Sequence, residues 1–128
     1  MLWQNQEITI VALEISRRME SGICLIDLGG RLVLGRGLSS LTTGTESYLS
    51  GRSASGLVVN LTNVADMDSA GLGELMHLYK VASSRSWKVA LAGANPRIRE
   101  ILKITHLDRI LIVFESEPEA IEYIGGKN

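Results

Sequence analysis

"GLVVNLTNVADMDSAGLGELM", residues 56 to 76, decides the fold. It opens with "GLVVNL", a short apolar run whose paired valines suit a buried strand. From Ala70 the period changes. Leu72, Leu75, Met76, Tyr79 and Ala82 recur at three and four residues, which gives a helix one apolar face. Between the two periods stand Asp66, Asp68 and Ser69. A strand that runs through a short polar hinge into a helix is the opening half of a parallel crossover unit.

The alternation continues downstream. "WKVALAG" reads as a strand, and in "ANPRIREILKI" Asn95 is a helix cap, Pro96 takes the first helical position, and Ile98, Ile101 and Leu102 face inward. "ILIVF" is a final short strand, and "SEPEAIEYI" opens with Ser116 and Glu119 at capping-box spacing. Parallel strands joined by helices bring strand ends and helix starts together along one edge of a sheet, where ligands and partners bind. The quoted stretch lies on that edge.

Upstream, "ALEISRRM" alternates Leu13, Ile15, Arg17 and Met19 on one face, and "ESG" separates it from "ICLIDL", so the pair reads as a hairpin. Gly29 and Gly30 are expected to end its second strand. "RLVLGRGLSSLTTGTESYLSGRS" predicts a short strand around Leu32 to Leu34, then a helix from Ser39 to Leu49 whose propensity Gly44 lowers. Residues 1 to 11 read as an N-terminal extension or as part of an additional strand in "ITIVALEI"; residues 12 to 126 read as one domain.

Size and charge narrow the function. The chain has 128 residues, 45% hydrophobic and 21% charged, which suits one soluble globular domain. Thirteen basic against 14 acidic residues leave a net charge of −1, too little field to hold nucleic acid or an anionic membrane. "MLWQNQE" is not a secretory leader, and no apolar run reaches the roughly 18 residues a membrane span needs. A cytoplasmic protein without direct membrane insertion is expected. Cys24, the single cysteine, sits in an apolar run as a core residue.

Ser69 carries the functional question. As a helix cap its oxygen would accept a bond from a first-turn amide, contributing about 1 kcal/mol. As a modification site it would hold a phosphate against the free amides and positive end of the helix, placing about −1.5 to −2 charges beside Asp66 and Asp68. Ala70, Gly71 and Gly73 are small enough to let another protein's active site approach the backbone. Nucleophilic catalysis lacks a base, because His77 and His106 have no orienting partner and read as surface residues. "GLG" has neither phosphate-loop spacing, and no Cys or His cluster suggests a metal, so no catalytic residue, cofactor or metal is expected. Arg97, Arg99 and Lys103 form a small basic patch on the third helix, solvated or in contact with a partner.

"VVNLTNVADMDSAGLGELMHLYKVA" followed by "KVALAGANPRIREILKITHLDRILIVFESEPEAI" resembles the STAS domain of bacterial anti-sigma factor antagonists from about Leu13 to Ile124. The resemblance implies an α/β single domain, with a four- to five-stranded mixed sheet and about four helices mainly on one face. It also implies that Ser69 is phosphorylated by an anti-sigma factor serine kinase, that the unmodified form binds this kinase, and that a serine phosphatase restores it. Asp68, Ser69, Ala70, Gly71, Leu72 and Gly73 would form the partner-binding stretch. In two places the pattern differs: "GRLV" carries Arg31 and Val33 where relatives often have acids, and Ala70 stands where Ser or Thr is frequent. "DSAG" also occurs in STAS subunits of membrane lipid transporters. The alternative reading is therefore an accessory subunit docking through the same helix, with Leu78 and Val81 expected to be exposed beside His77 and Lys80.

Overall fold

A computed structural model describes residues 13–125. The suggested extension or extra strand at residues 1 to 11 lies outside the described residues. Strands β1 (Leu13–Glu20) and β2 (Ile23–Leu32) form the expected hairpin, with Leu13 opposite Gly30 and Glu20 opposite Ile23. Ser21 and Gly22 make its two-residue turn, both at positive φ (52° and 80°), as a primed turn requires. Then follow α1 (Ser40–Leu49), β3 (Gly56–Met67), α2 (Ser69–Ser84), β4 (Lys88–Ala92), α3 (Pro96–Ile104), a single 3-10 turn, β5 (Ile112–Phe114) and α4 (Glu117–Ile124).

The five strands lie in the order β1-β2-β3-β4-β5, with β1 antiparallel and the rest parallel. Strand alternation sorts the core onto two faces. Cys24, Ile26, Leu57, Val59, Val89 and Leu91 pack against Leu41 and Leu49 of α1, Leu75, Leu78 and Ala82 of α2, and Ile98 and Leu102 of α3. Ile23, Leu25, Val58, Ala90 and Ala92 pack against Ala120, Ile121 and Ile124 of α4, with Phe114 of β5 beside them. Three helices therefore cover one face and one covers the other. Leu13, Ile15 and Met19 pack half-buried on the larger core, on the face predicted from their alternation.

Two strands are longer than their apolar runs. Gly29 and Gly30 do not end β2; they sit where its register against β3 shifts, between Asp27 and Gly29 and between Gly30 and Arg31. Glycine accommodates such bulges because one residue loses its partner and the strand bends, and Gly30 has φ 95°. Leu32 is accordingly the last residue of β2, and no separate strand reaches Leu34. Similarly β3 continues past "GLVVNL" to Met67, although Thr62 and Asn63 are exposed. β4 pairs only with Gly56 to Asn60, so the second half of β3 has a free edge where polar residues are solvated. The ends of β2 and β3 thus project beyond β4 as a two-stranded ledge.

Helix α1 is held from outside. Its preceding residue Ser39 makes no side-chain cap; instead Glu74 of α2, with its side chain 12% exposed, accepts from the Thr42 amide at 3.1 Å. A carboxylate there satisfies a first-turn donor and complements the helix dipole. Arg17 of β1 donates to Ser40 O at 2.9 Å and to Thr45 Oγ1 at 3.0 Å. The mid-helix glycine follows from this contact, since a Cβ on Gly44 would lie 2.8 Å from the Arg17 guanidinium.

Candidate functional site

The ledge ends where α2 begins. Asp68, not Ser69, is the N-cap, with extended backbone and Oδ1 accepting from the Gly71 amide at 2.9 Å. The helix starts one residue earlier than the apolar period suggests, and Asp caps as well as Ser. The second oxygen of Asp68 accepts from the Leu34 amide at 3.0 Å, and its own amide donates to Leu32 O at 3.3 Å. One side chain therefore caps α2 and ties down the loop that leaves β2. The amides of Gly71 and then Leu34 hold the Asp68 carboxyl below the usual aspartate range.

Ser69 is the first residue inside the helix and is exposed. Its capping role passes to its neighbour, which leaves the hydroxyl at the positive end of a 16-residue helix, facing solvent. The six residues expected from the sequence to bind a partner divide by environment. Asp68, Ser69 and Gly73 are exposed, Ala70 and Leu72 half-buried, and Gly71 buried. A Cβ on Gly71 would lie 1.9 Å from Leu32 O, so this glycine seats α2 against the end of β2 rather than opening the backbone to a visitor. Around Gly73 the space is open.

The start of α3 completes the edge. Asn95 Oδ1 accepts from the Ile98 amide at 2.9 Å as the predicted cap, while its Nδ2 donates to Val64 O at 3.2 Å and Ala65 O at 3.3 Å on β3. The side chain thereby pins α3 beside the ledge. Arg97, two residues on, donates to Asp66 Oδ1 at 2.7 Å, and Arg31 of β2 approaches Asp66 Oδ2 at 3.9 Å. The Arg97 hydrogen bond, followed by the Met67 amide, keeps the Asp66 carboxyl low. Next to Asp68 the loop presents Leu34, 77% exposed, the largest exposure among the large hydrophobic side chains of the described residues.

Other predicted residues lie elsewhere. His77 and His106 are exposed, the latter in a left-handed conformation (φ 63°) that ends α3. Cys24 is fully buried, and burial pushes its thiol up to about 11. The patch of Arg97, Arg99 and Lys103 is divided: Arg97 serves Asp66, while Arg99 donates to Ala94 O and approaches Glu115 at 3.5 Å. Leu78, expected on an exposed face, is 1% exposed and packs in the main core, and Val81 is half-buried. Helix α2 buries more of its circumference than one narrow stripe because α1 packs beside it. Leu34 and Glu74 escaped sequence reasoning, Arg31 was noted only as a departure from the family pattern, and the cap was expected at Ser69, although Asp68 stands three residues before Gly71.

The STAS domain family profile matches residues 11–120, and the chain belongs to that family. Among curated relatives, the anti-sigma F factor antagonist of Paenibacillus polymyxa is 24% identical over 109 residues, 85% of this chain and 92% of that protein. A Thermotoga neapolitana homologue of the anti-sigma factor antagonists is 34% identical over 71 residues; the match spans 56% of this chain and 63% of that protein, just under two thirds. Among solved structures, the Bacillus anti-sigma factor antagonist SpoIIAA superposes in its unphosphorylated form with a TM-score of 0.75 at 17% identity, over 90% of this chain and 99% of that one. Its phosphorylated form gives 0.65 at 18%, over 87% and 99%. At these identities the structural likeness establishes the fold. No helix among the described residues is long and apolar enough to cross a membrane.

Proposed function

We propose that this chain is an anti-sigma factor antagonist that acts by partner switching and performs no catalysis of its own. The observation that carries this reading is the exposed Ser69 hydroxyl at the first position of α2, free of the capping role and beside a carboxylate already engaged by two amides. In the unmodified state the ledge docks on an anti-sigma factor serine kinase, which releases its sigma factor. The kinase then moves the γ-phosphoryl group of ATP to Ser69: the serine oxygen bonds to phosphorus, the bond to ADP breaks, and the hydroxyl proton leaves. The phosphoserine form dissociates. A serine phosphatase resets it by adding water across the phosphoester.

Three features support the reading. Phosphate at a helix start meets unpaired amides and a favourable dipole, so the modified state is accessible without unfolding α2. Relatives matching this chain carry the antagonist name, and the same fold has been solved for one in both phosphorylation states. The apolar outer face that motivated a transporter subunit is missing, since Leu78 is core.

To test it, the protein is incubated with ATP and each serine kinase of the anti-sigma class encoded beside its gene. One phosphate on Ser69 is expected, with retained kinase binding by Ser69→Ala and weakened binding by Ser69→Asp. No transfer with any of the kinases, or equal binding by both variants, overturns the proposal.

A further inference from the structure

We propose that the edge around Ser69 is a basic docking surface, and that the kinase it receives presents carboxylates around an apolar socket. This rests on the reading of Ser69 above and names the chemistry of the partner.

Three segments build the edge: residues 31–37, residues 66–73 and residues 95–98 at the start of α3. They carry three cations, Arg31, Arg36 and Arg97, and two anions, Asp66 and Asp68. The anions are occupied. Asp68 accepts the amides of Gly71 and Leu34, one on each oxygen, and Asp66 accepts Arg97 and the Met67 amide on one oxygen with Arg31 beside the other. The cations are only partly engaged: Arg97 and Arg31 share the one Asp66 carboxylate. The side chains of Arg31 and Arg97 are 61% and 66% exposed, and Arg36 is exposed in the loop two residues beyond Leu34. A single carboxylate cannot saturate the five donors of each of two guanidinium groups, so most of these N–H groups face solvent.

Three positive against two negative groups leave the edge with one net positive charge, while the whole chain is at −1. The local sign is opposite to the global one, which orients an approaching acidic surface toward this edge. Leu34 lies between Arg31 and Arg36 in sequence and is held at its backbone by Asp68. An exposed apolar side chain on a loop that also carries Arg31 and Arg36 suits an interface anchor that enters a pocket behind a polar rim.

Phosphate on Ser69 brings about −1.5 to −2 charges and turns the edge from positive to negative. The same carboxylates that favoured docking then oppose it. The product of the kinase's own reaction is thereby released by reversal of sign, with no change of backbone required.

The charge claim can be tested without the kinase. Isotope-labelled protein is titrated at low ionic strength with a glutamate-rich peptide and, separately, a lysine-rich peptide of equal length. The acidic peptide is expected to shift the amide resonances of residues 31–37 and 69–73, and Arg31→Glu/Arg36→Glu to abolish the shifts. Lysine-peptide shifts on this edge, or acidic-peptide shifts absent from it, overturn the inference. With a kinase that modifies Ser69, the association rate is expected to fall about tenfold between roughly 0.01 and 0.15 M salt, and by a similar factor in the double variant at low salt. A rate indifferent to both overturns the charge assignment but leaves phosphorylation of Ser69 standing. Failure of transfer with every kinase overturns the function and leaves the peptide result to be read alone.

Discussion

Gly71 and Gly73 lie two residues apart in the first turns of α2, and the same methyl group added to each should have opposite effects. At Gly73 nothing lies within 4 Å of the new Cβ, so alanine only gains helix propensity. That is worth about 0.5–1 kcal/mol of added stability. At Gly71 the Cβ would fall 1.9 Å from Leu32 O and 2.7 Å from Leu32 C. Both are backbone atoms, so no side chain can swing aside, and relief requires α2 to lift from β2 by about 1 Å or more to restore van der Waals spacing. Lifting stretches the hydrogen bond from the Asp68 amide to Leu32 O, already 3.3 Å, and loosens Leu75 and Leu78 in the core. Overpacking of this kind costs about 1–3 kcal/mol, and here the upper end applies because the clash is with main chain. Urea unfolding of the two variants measures the difference directly. Gly73→Ala should raise the midpoint and Gly71→Ala should lower it, at equal slope. Equal gains in both would show that α2 does not rest on the end of β2, and the geometry assigned to Ser69 would lose its support.

Thr42 is fully buried with its Oγ1 unpaired, so Thr42→Val, which keeps the shape, should raise stability by roughly 1 kcal/mol in thermal or chemical unfolding. Asp68 has its folded pKa depressed below the unfolded value near 3.9, so its contribution is complete above that pH and disappears as pH falls through the lower folded value. Acid titration of unfolding should therefore show a shallower loss below about pH 4 in Asp68→Asn than in the unmodified chain. Ser69→Glu should change the thermal midpoint by no more than a few degrees, because the helix dipole favours the added charge while Asp66 and Asp68 oppose it through solvent. A large drop in that midpoint would mean the switch works by unfolding α2.

The architecture was legible because its elements follow simple periods. Leu13, Ile15 and Met19 alternate, Leu75 and Ala82 repeat at helical spacing, and Asn95-Pro96 announces a helix start; each signal is local. The errors share a cause. The strand ends were placed at Gly29 and at Leu61 because polar and glycine residues interrupt the apolar runs, yet bulges and a free edge carry both strands onward. Leu78 was put outside because one helix facing one sheet buries a single stripe, whereas α1 alongside α2 buries more. The candidate edge was legible only along its continuous stretch, 66–73. Arg31, Leu34 and Arg97 join it through contacts spanning about 30 residues of sequence, and no periodicity reports a hydrogen bond between the Leu34 amide and Asp68.

If Ser69 is the switch residue proposed above, the division of labour between Asp68 and Ser69 lets it be modified without disturbing the fold. Were Ser69 the cap, phosphorylating it would consume the oxygen that satisfies a first-turn amide, and each cycle of modification would loosen α2. With Asp68 accepting from Gly71, the helix start is complete before the serine is considered. The loop bearing Leu34 is fixed by the other oxygen of the same carboxylate, so its position is also independent of the hydroxyl. A phosphate therefore alters charge on a surface whose shape is already determined by neighbouring groups. Recognition by shape and release by charge become separable properties of adjacent residues, and a variant at Asp68 should impair docking in both phosphorylation states, whereas one at Ser69 should erase only the difference between them.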